Sequence, residues 1–360
     1  MKIVLIGGHL SPAFSLIQEM EGEEILFIGR KYPLEGDKAL SLEFQFAQYH
    51  KITFKAIKTG RFQRKFTRHT APSLFKFPVG FAQSLSILRK FKPNVVIGFG
   101  GYVELPVVMA ASLLRMPVVI HEQTLEVGVA NRIASRFAQK ICISWESSRK
   151  CFPQNKVVLT GNPVRKEILS SKAENFQHIK KDKPTIYITG GSLGSHKLNL
   201  LVEKCITDLL KIAVVIHQTG DSSEFNDYDR LSKLNLNGYS LRKFFKSEEV
   251  AGILGESDLV VSRSGINTVT ELIYLQKPAF LIPLSFAQRN EQHKNALMFK
   301  NMGLGEVGSE KLSADEFFST IKKMLENLKN YKTRKSISEE ELIGNAAKNI
   351  KKVVWETAKA

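Results

Sequence analysis

The chain has 360 residues, 43% of them hydrophobic, which is long for one core and enough to build two. Three cysteines with no metal-ligand spacing exclude a disulfide framework and read as reduced thiols, while no apolar run approaches the roughly 20 residues of a membrane span. The 52 basic against 35 acidic residues, net +17, point to an anionic partner.

In chain order, the opening KIVLI reads as a buried strand that breaks at Gly7-Gly8-His9, too short an apolar run for a signal peptide. EILFIG is the next strand. From Glu43 to Glu104 no acidic residue intervenes, and within this stretch RFQRKFTRHTAPSLFKFPVGF interleaves Arg64, Lys65 and Arg68 with Phe75 and Phe77. Cations with aromatic side chains suit an anionic lipid surface, where each basic residue contributes about 1 kcal/mol and apolar groups enter the interface. An ordinary solvated face over core phenylalanines is the alternative; nucleic acid is disfavoured, and no such partner is expected. SLSILRKF and VVMAASLL are amphipathic or apolar helical stretches lying among the strands EILFIG, VVIGFG, PVVIH and KICIS. Gly98-Phe99-Gly100-Gly101-Tyr102 makes a second glycine turn, and His121-Glu122-Gln123 ends a strand.

After TGNPVRKEIL and a charged connector the strand-then-glycine pattern restarts: PTIYITGG, AVVIHQTG, DLVVSRSG, PAFLIPL. Gly190-Gly191-Ser192-Leu193-Gly194-Ser195 lies between a strand and a helix, where amides and a helix dipole converge on a phosphate; its spacing is not the dinucleotide fingerprint. In Ser262-Arg263-Ser264-Gly265 a strand breaks and a helix is expected to open at Asn267-Thr268, with Glu271 in its first turn. That glutamate is either a ribose ligand or, through Thr268-x-x-Glu271, part of a capping box. ISEEELIGNAAKNIKKVVWETAKA reads as one amphipathic tail helix. The pattern predicts an α/β protein of two Rossmann-like, doubly wound domains facing across a cleft: residues 1–163, residues 164–336, and a C-terminal helix 337–360 packing back on the first domain.

GFGGY, HEQ, GVANRIASRFA, TGNPVR, GGSLGS, HQTG and SRSGINTVTEL, with His9, occur in the order seen in the bacterial glycosyltransferases of family 28 that form lipid II, and the chain resembles that family end to end. The resemblance implies a GT-B fold and an inverting, cofactor-free and metal-free transfer of N-acetylglucosamine from UDP-N-acetylglucosamine to the 4-hydroxyl of undecaprenyl-linked lipid I. The implied location is peripheral, on the cytoplasmic face of the plasma membrane. It places the donor at Arg165, Gly191, Ser192, Phe245, Gly265, Glu271, Gln292 and Asn295, and the acceptor at Gly7, Gly8, Gly100, Gly101, Tyr102, Thr124 and Asn131. His9 is the first candidate for the general base, because imidazole titrates near neutrality, and Glu122 the second. Three departures from the family stand out: a first glycine loop shortened to Gly7-Gly8-His9, Thr124 where the family has asparagine after HEQ, and Asn290-Glu291-Gln292 in place of D-H-Q. A transferase for another lipid, a UDP-sugar-binding protein without turnover and a sugar-nucleotide epimerase are the rival readings.

Overall fold

Every strand paired in the computed structural model is parallel to its neighbours, as expected of chains whose strands are joined by helical crossovers. The structure describes residues 1–32, 40–60, 70–170, 182–191, 194–220, 224–285, 290–331 and 342–360. It divides into an N-terminal unit, Met1–Val164 with Leu342–Ala360, and a C-terminal unit, Arg165–Glu341.

The N-terminal unit carries β1 (Lys2–Ile6), α1 (Leu10–Glu19), β2 (Glu24–Gly29), α2 (Leu42–Tyr49), β3 (Thr53–Ala56), α3 (Thr70–Phe91), β4 (Val95–Gly98), α4 (Glu104–Leu113), β5 (Val118–Glu122), α5 (Val129–Ala134), β6 (Lys140–Ile143) and β7 (Val157–Leu159). Its sheet order is β3-β2-β1-β4-β5-β6-β7. The central strands are continuous apolar runs because helices cover both faces: Ile3, Leu5, Val95, Ile97 and Val119 pack to one side, and Val4, Ile6, Val96, Val118 and Ile120 to the other. The C-terminal unit follows with α6 (Lys166–Leu169), β8 (Thr185–Thr189), α7 (His196–Ile212), β9 (Val214–Gln218), α8 (Asp227–Ser232), β10 (Tyr239–Arg242), α9 (Ser247–Glu256), β11 (Leu259–Ser262), α10 (Ile266–Tyr274), β12 (Ala279–Leu281), α11 (Glu291–Asn301), β13 (Gly305–Val307) and α12 (Ala314–Glu326). Here the order is β10-β9-β8-β11-β12-β13. Each sheet reverses direction beside its first strand, between β1 and β4 and between β8 and β11, which is where ligands of doubly wound sheets collect.

The tail differs from the single helix read in the sequence. Among the described residues a helical turn at 342–344 breaks at Asn345 (φ −99°, ψ 2°), and α13 (Ala346–Lys359) then runs to the end. Gly344 and Asn345 are poor helix residues, and the break falls on them. Ile350, Val353 and Val354 of α13 join the core formed by Leu5, Leu16 and Val119, each fully buried side chain stabilising the N-terminal unit by about 1.5–3 kcal/mol. Lys351 Nζ donates to the Glu19 carbonyl at 2.6 Å, and Asn349 Nδ2 to that of Thr160 at 3.2 Å.

The basic stretch is only partly described. Arg64, Lys65, Arg68 and the Phe75 side chain lie outside the described residues. Of the rest, Lys51, Lys55, Lys58, Arg89, Lys90 and Lys92 are exposed, Val79 is 47% exposed, Phe77 is half-buried, and Phe81 packs against the core.

Candidate active site

At the switch point of the N-terminal unit two glycine turns press against each other. A Cβ on Gly8 would lie 2.0 Å from the Gly100 carbonyl oxygen, so the turns after β1 and β4 can meet only without a side chain there. His9, the N-cap of α1, donates its amide to the Phe99 carbonyl at 3.2 Å, and its ring lies over Gly100, whose added Cβ would fall 3.3 Å from Cδ2. The His9 residue is exposed, yet enough protein surrounds the ring for desolvation to lower its pKa, opposed by the Glu122 carboxylate. Gly7 donates its amide to Ile28 at 2.7 Å, and Tyr102 is half-buried with the Arg30 guanidinium 4.5 Å from its ring centre.

Glu122 does not stand free beside this turn. At 2% exposure its carboxylate accepts the amides of Thr124 and Gly128 and the Asn131 side-chain nitrogen, all at 3.0 Å, with the Thr124 hydroxyl 2.7 Å away. These donors occupy most of its acceptor sites and tie the end of β5 to the start of α5. Thr124, read as an acceptor contact, turns its hydroxyl to Glu122 and to the Glu126 carbonyl. Asn131 also donates to the His121 carbonyl at 3.1 Å, while its buried Oδ1 has no hydrogen-bond partner among the described residues. His121 sits behind, its Nε2 3.1 Å from the Ser144 hydroxyl and 3.3 Å from the Gly161 carbonyl; burial pulls its pKa down to about 4 and keeps it neutral.

No sequence motif singles out Glu104. It is fully buried in the first turn of α4, and its carboxyl fills the space beneath Gly98, where a Cβ would lie 2.0 Å from Oε1. Burial pushes its pKa up to about 8; the nearby Gly100 amide opposes the shift and Glu122 adds to it. That shift favours the carboxylic acid over the carboxylate at neutral pH.

The C-terminal unit repeats the geometry with different chemistry. Gly265 is the N-cap of α10, so the helix opens at Ile266 and not at Asn267-Thr268. Glu271 consequently lies in the second turn, three residues beyond where a capping box would need it, and that reading falls. Its carboxylate is gripped instead by Arg165, Nε to Oε1 at 2.7 Å and Nη2 to Oε2 at 2.6 Å, a bidentate pair with Glu271 8% exposed. Gly191 donates its amide to the Thr189 hydroxyl at 3.0 Å and accepts from Gly194 at 3.1 Å; Ser192 and Leu193 lie outside the described residues. Ser195 caps α7 by accepting from the Leu198 amide. Phe245 keeps its ring buried and gives its amide to Gln218 Oε1 at 3.1 Å, and the same Gln218 donates to the Gly191 carbonyl at 3.2 Å. Gln218 of HQTG thus ties the glycine loop to Phe245. Gln292 accepts from the Leu284 amide at 3.1 Å, and buried Asn295 donates to the Ser264 carbonyl at 3.0 Å. The fixed backbone at both helix N-termini offers an anion the positive ends of α7 and α10.

Comparisons with known proteins agree across the chain. The glycosyltransferase family 28 N-terminal domain matches residues 6–143, and its C-terminal domain residues 185–354. A UDP-N-acetylglucosamine--N-acetylmuramyl-(pentapeptide) pyrophosphoryl-undecaprenol N-acetylglucosamine transferase from Clostridium perfringens is 35% identical, over 99% of this chain and 98% of its own. A protein of the same description, numbered 2, from Bacillus cereus is 34% identical over 97% and 99%. Among solved structures, Acinetobacter baumannii MurG superposes with a TM-score of 0.73 at 23% identity, over 99% of this chain and all of that one. The UDP-GlcNAc 2-epimerase of Neisseria meningitidis gives 0.67 at 16%, again over 99% and 100%. At those identities the two structures speak for the fold alone.

Proposed function

The chain belongs to glycosyltransferase family 28, and we propose that it divides the reaction between its two units, donor binding in the C-terminal one and acceptor chemistry in the N-terminal one. It is a glycosyltransferase that moves N-acetylglucosamine from UDP-N-acetylglucosamine to lipid I, giving lipid II, the reaction named for relatives matched over nearly their whole length.

In this reading Glu271 accepts the ribose hydroxyls. The observation that carries it is that this buried carboxylate caps no helix and is held by Arg165 through two hydrogen bonds that fix its orientation. Each of its oxygens has a further lone pair for a hydroxyl. The N-termini of α7 and α10, together with Arg165, take the negative charge that builds on the diphosphate as UDP departs. Phe245 holds the base, and Gln292 and Asn295 the hexose. On the acceptor side the 4-hydroxyl attacks the anomeric carbon from the face opposite the diphosphate and inverts it, while His9 removes the hydroxyl proton. Desolvation lowers the pKa of this imidazole, which favours the neutral form that can accept a proton. Glu122, saturated by amide donors, is better suited to fixing Asn131 and Gly128 than to taking a proton.

We further propose peripheral binding to the anionic cytoplasmic face of the plasma membrane. The exposed Lys51, Lys55, Lys58, Arg89, Lys90 and Lys92, with no acidic residue between Glu43 and Glu104, support it. No described helix is long and apolar enough to cross a membrane.

The test is incubation of the purified protein with labelled UDP-N-acetylglucosamine and lipid I in detergent, the product resolved by mass. Lipid II is the expected product; UDP binding without it would leave a sugar-nucleotide-binding protein, and conversion of the donor to an epimer would move the chain to another activity.

A further inference from the structure

One buried ion pair of the C-terminal unit has no part in the donor contacts just described, and every strand-end loop on that side of the sheet meets in it. Arg263, between β11 and α10, is 9% exposed. Its Nη2 donates to the Ser195 hydroxyl at the cap of α7 and to Glu310 Oε1 at 2.6 Å, and its Nη1 to the carbonyl of Ile282, just past β12, at 3.0 Å. Glu310 follows β13, and its side chain is 3% exposed. Its second oxygen accepts the Ser285 amide at 3.1 Å and the Ser285 hydroxyl, with Lys197 Nζ 3.4 Å away. Desolvation opposes its ionisation, but the Ser285 and Arg263 hydrogen bonds outweigh it and hold the pKa down to about 2, so the carboxylate is charged at any working pH.

The loop held this way has a second duty. Leu284, adjacent to Ser285, donates its amide to Gln292 Oε1 at 3.1 Å. That bond uses the acceptor end of the Gln292 amide and leaves its NH2 as the end that can donate to a hydroxyl. Ser264, next to Arg263, donates to the Gln292 carbonyl at 2.8 Å and accepts from Asn295 at 3.0 Å. Resting on the reading of this unit as the donor site, we infer that Glu310 is a positioning residue for the donor sugar: through Ser285 and Arg263 it fixes the 282–285 loop, and the loop fixes the Gln292 amide that reads the hexose. The uridine contacts at Phe245 and Glu271 hang on Gln218 and Arg165 instead, so the two halves of the donor are held by separate supports.

The experiment compares Glu310→Gln, Glu310→Asp and Ser285→Ala for UDP affinity by calorimetry, KM and kcat with UDP-N-acetylglucosamine, and preference over UDP-N-acetylgalactosamine. Glu310→Gln should raise KM for UDP-N-acetylglucosamine and narrow the preference by about tenfold each, with UDP affinity within about threefold of wild type. Glu310→Asp should recover part of both losses. Ser285→Ala, at an exposed residue outside the ion pair, should move both in the same direction by about threefold. Proportionate losses of UDP and UDP-sugar binding, or an unchanged preference in Ser285→Ala, would overturn the inference; the second criterion stands even if the Glu310 variants fail to fold. Failure of the donor-site reading looks different: full UDP affinity in Glu271→Gln.

Discussion

The two units share strand order and place their loops at the same switch point, yet they treat charge in opposite ways. Around the glycine turns of the N-terminal unit four groups are pushed towards neutrality: Glu104 up to about 8, Glu43 upward, His121 down to about 4 and His9 downward, in each case chiefly by burial or desolvation. In the C-terminal unit two ion pairs at the strand-end loops are kept, Arg165 with Glu271 and Arg263 with Glu310, the last held at about 2, although buried His217 in the same unit is pulled down to about 3. A site that moves a proton needs groups that can change state near neutral pH; a site that orients a charged nucleotide needs groups that do not. One fold supports both because the switch point fixes only where the loops gather, while the residues on those loops decide the electrostatics.

The largest effect that could break this comparison comes from the glycine turns. Gly8→Ala puts a Cβ 2.0 Å from the Gly100 carbonyl and must part the turns that carry His9, so turnover should fall by about a hundredfold or more while UDP affinity stays at the wild-type value. Radiolabelled transfer and calorimetry on the same preparation check it, and a parallel loss of UDP affinity would show that the units are not separable in this way.

A smaller effect sharpens the account of neutrality. Burial holds the Glu104 carboxyl up at about 8 against 4.5 for a free glutamate, so its contribution to stability is complete below about pH 4.5 and is lost as pH rises through 8, on the order of 5 kcal/mol over that window. Glu104→Gln should remove this slope. Thermal unfolding should therefore show the variant gaining on wild type as pH goes from 5.5 to 8.5; parallel curves would mean that Glu104 is ionised and partnered in the native protein. His121, with its pKa down at about 4, works at the other end, since its stabilisation is lost as pH falls below about 6.5.

Much of the fold was legible because the central strands are covered on both faces and therefore read as unbroken apolar runs: KIVLI, VVIG, TIYIT, LVVS. The strands that escaped, β3, β7, β10 and β13, are the edges of the two sheets, where one side is open and TFKA or YSLR carries no such signal. The candidate site was legible where a motif sits on one turn, as at Gly7-Gly8-His9 and SRSG. It was not legible where function depends on distant partners: nothing in the sequence joins Arg165 to Glu271, 106 residues apart, or Arg263 to Glu310, 47 apart. The capping-box alternative for Glu271 was undecidable for a related reason, since it turned on whether α10 opens at Ile266 or three residues later.

The division of labour itself is tested most directly by UDP calorimetry and lipid II synthesis on His9→Ala and Glu271→Gln side by side. His9→Ala should lose about a hundredfold or more in turnover and keep UDP affinity within about threefold, whereas Glu271→Gln should weaken UDP binding by about tenfold. Loss of UDP affinity in His9→Ala, or unaltered UDP affinity in a folded Glu271→Gln, would contradict it.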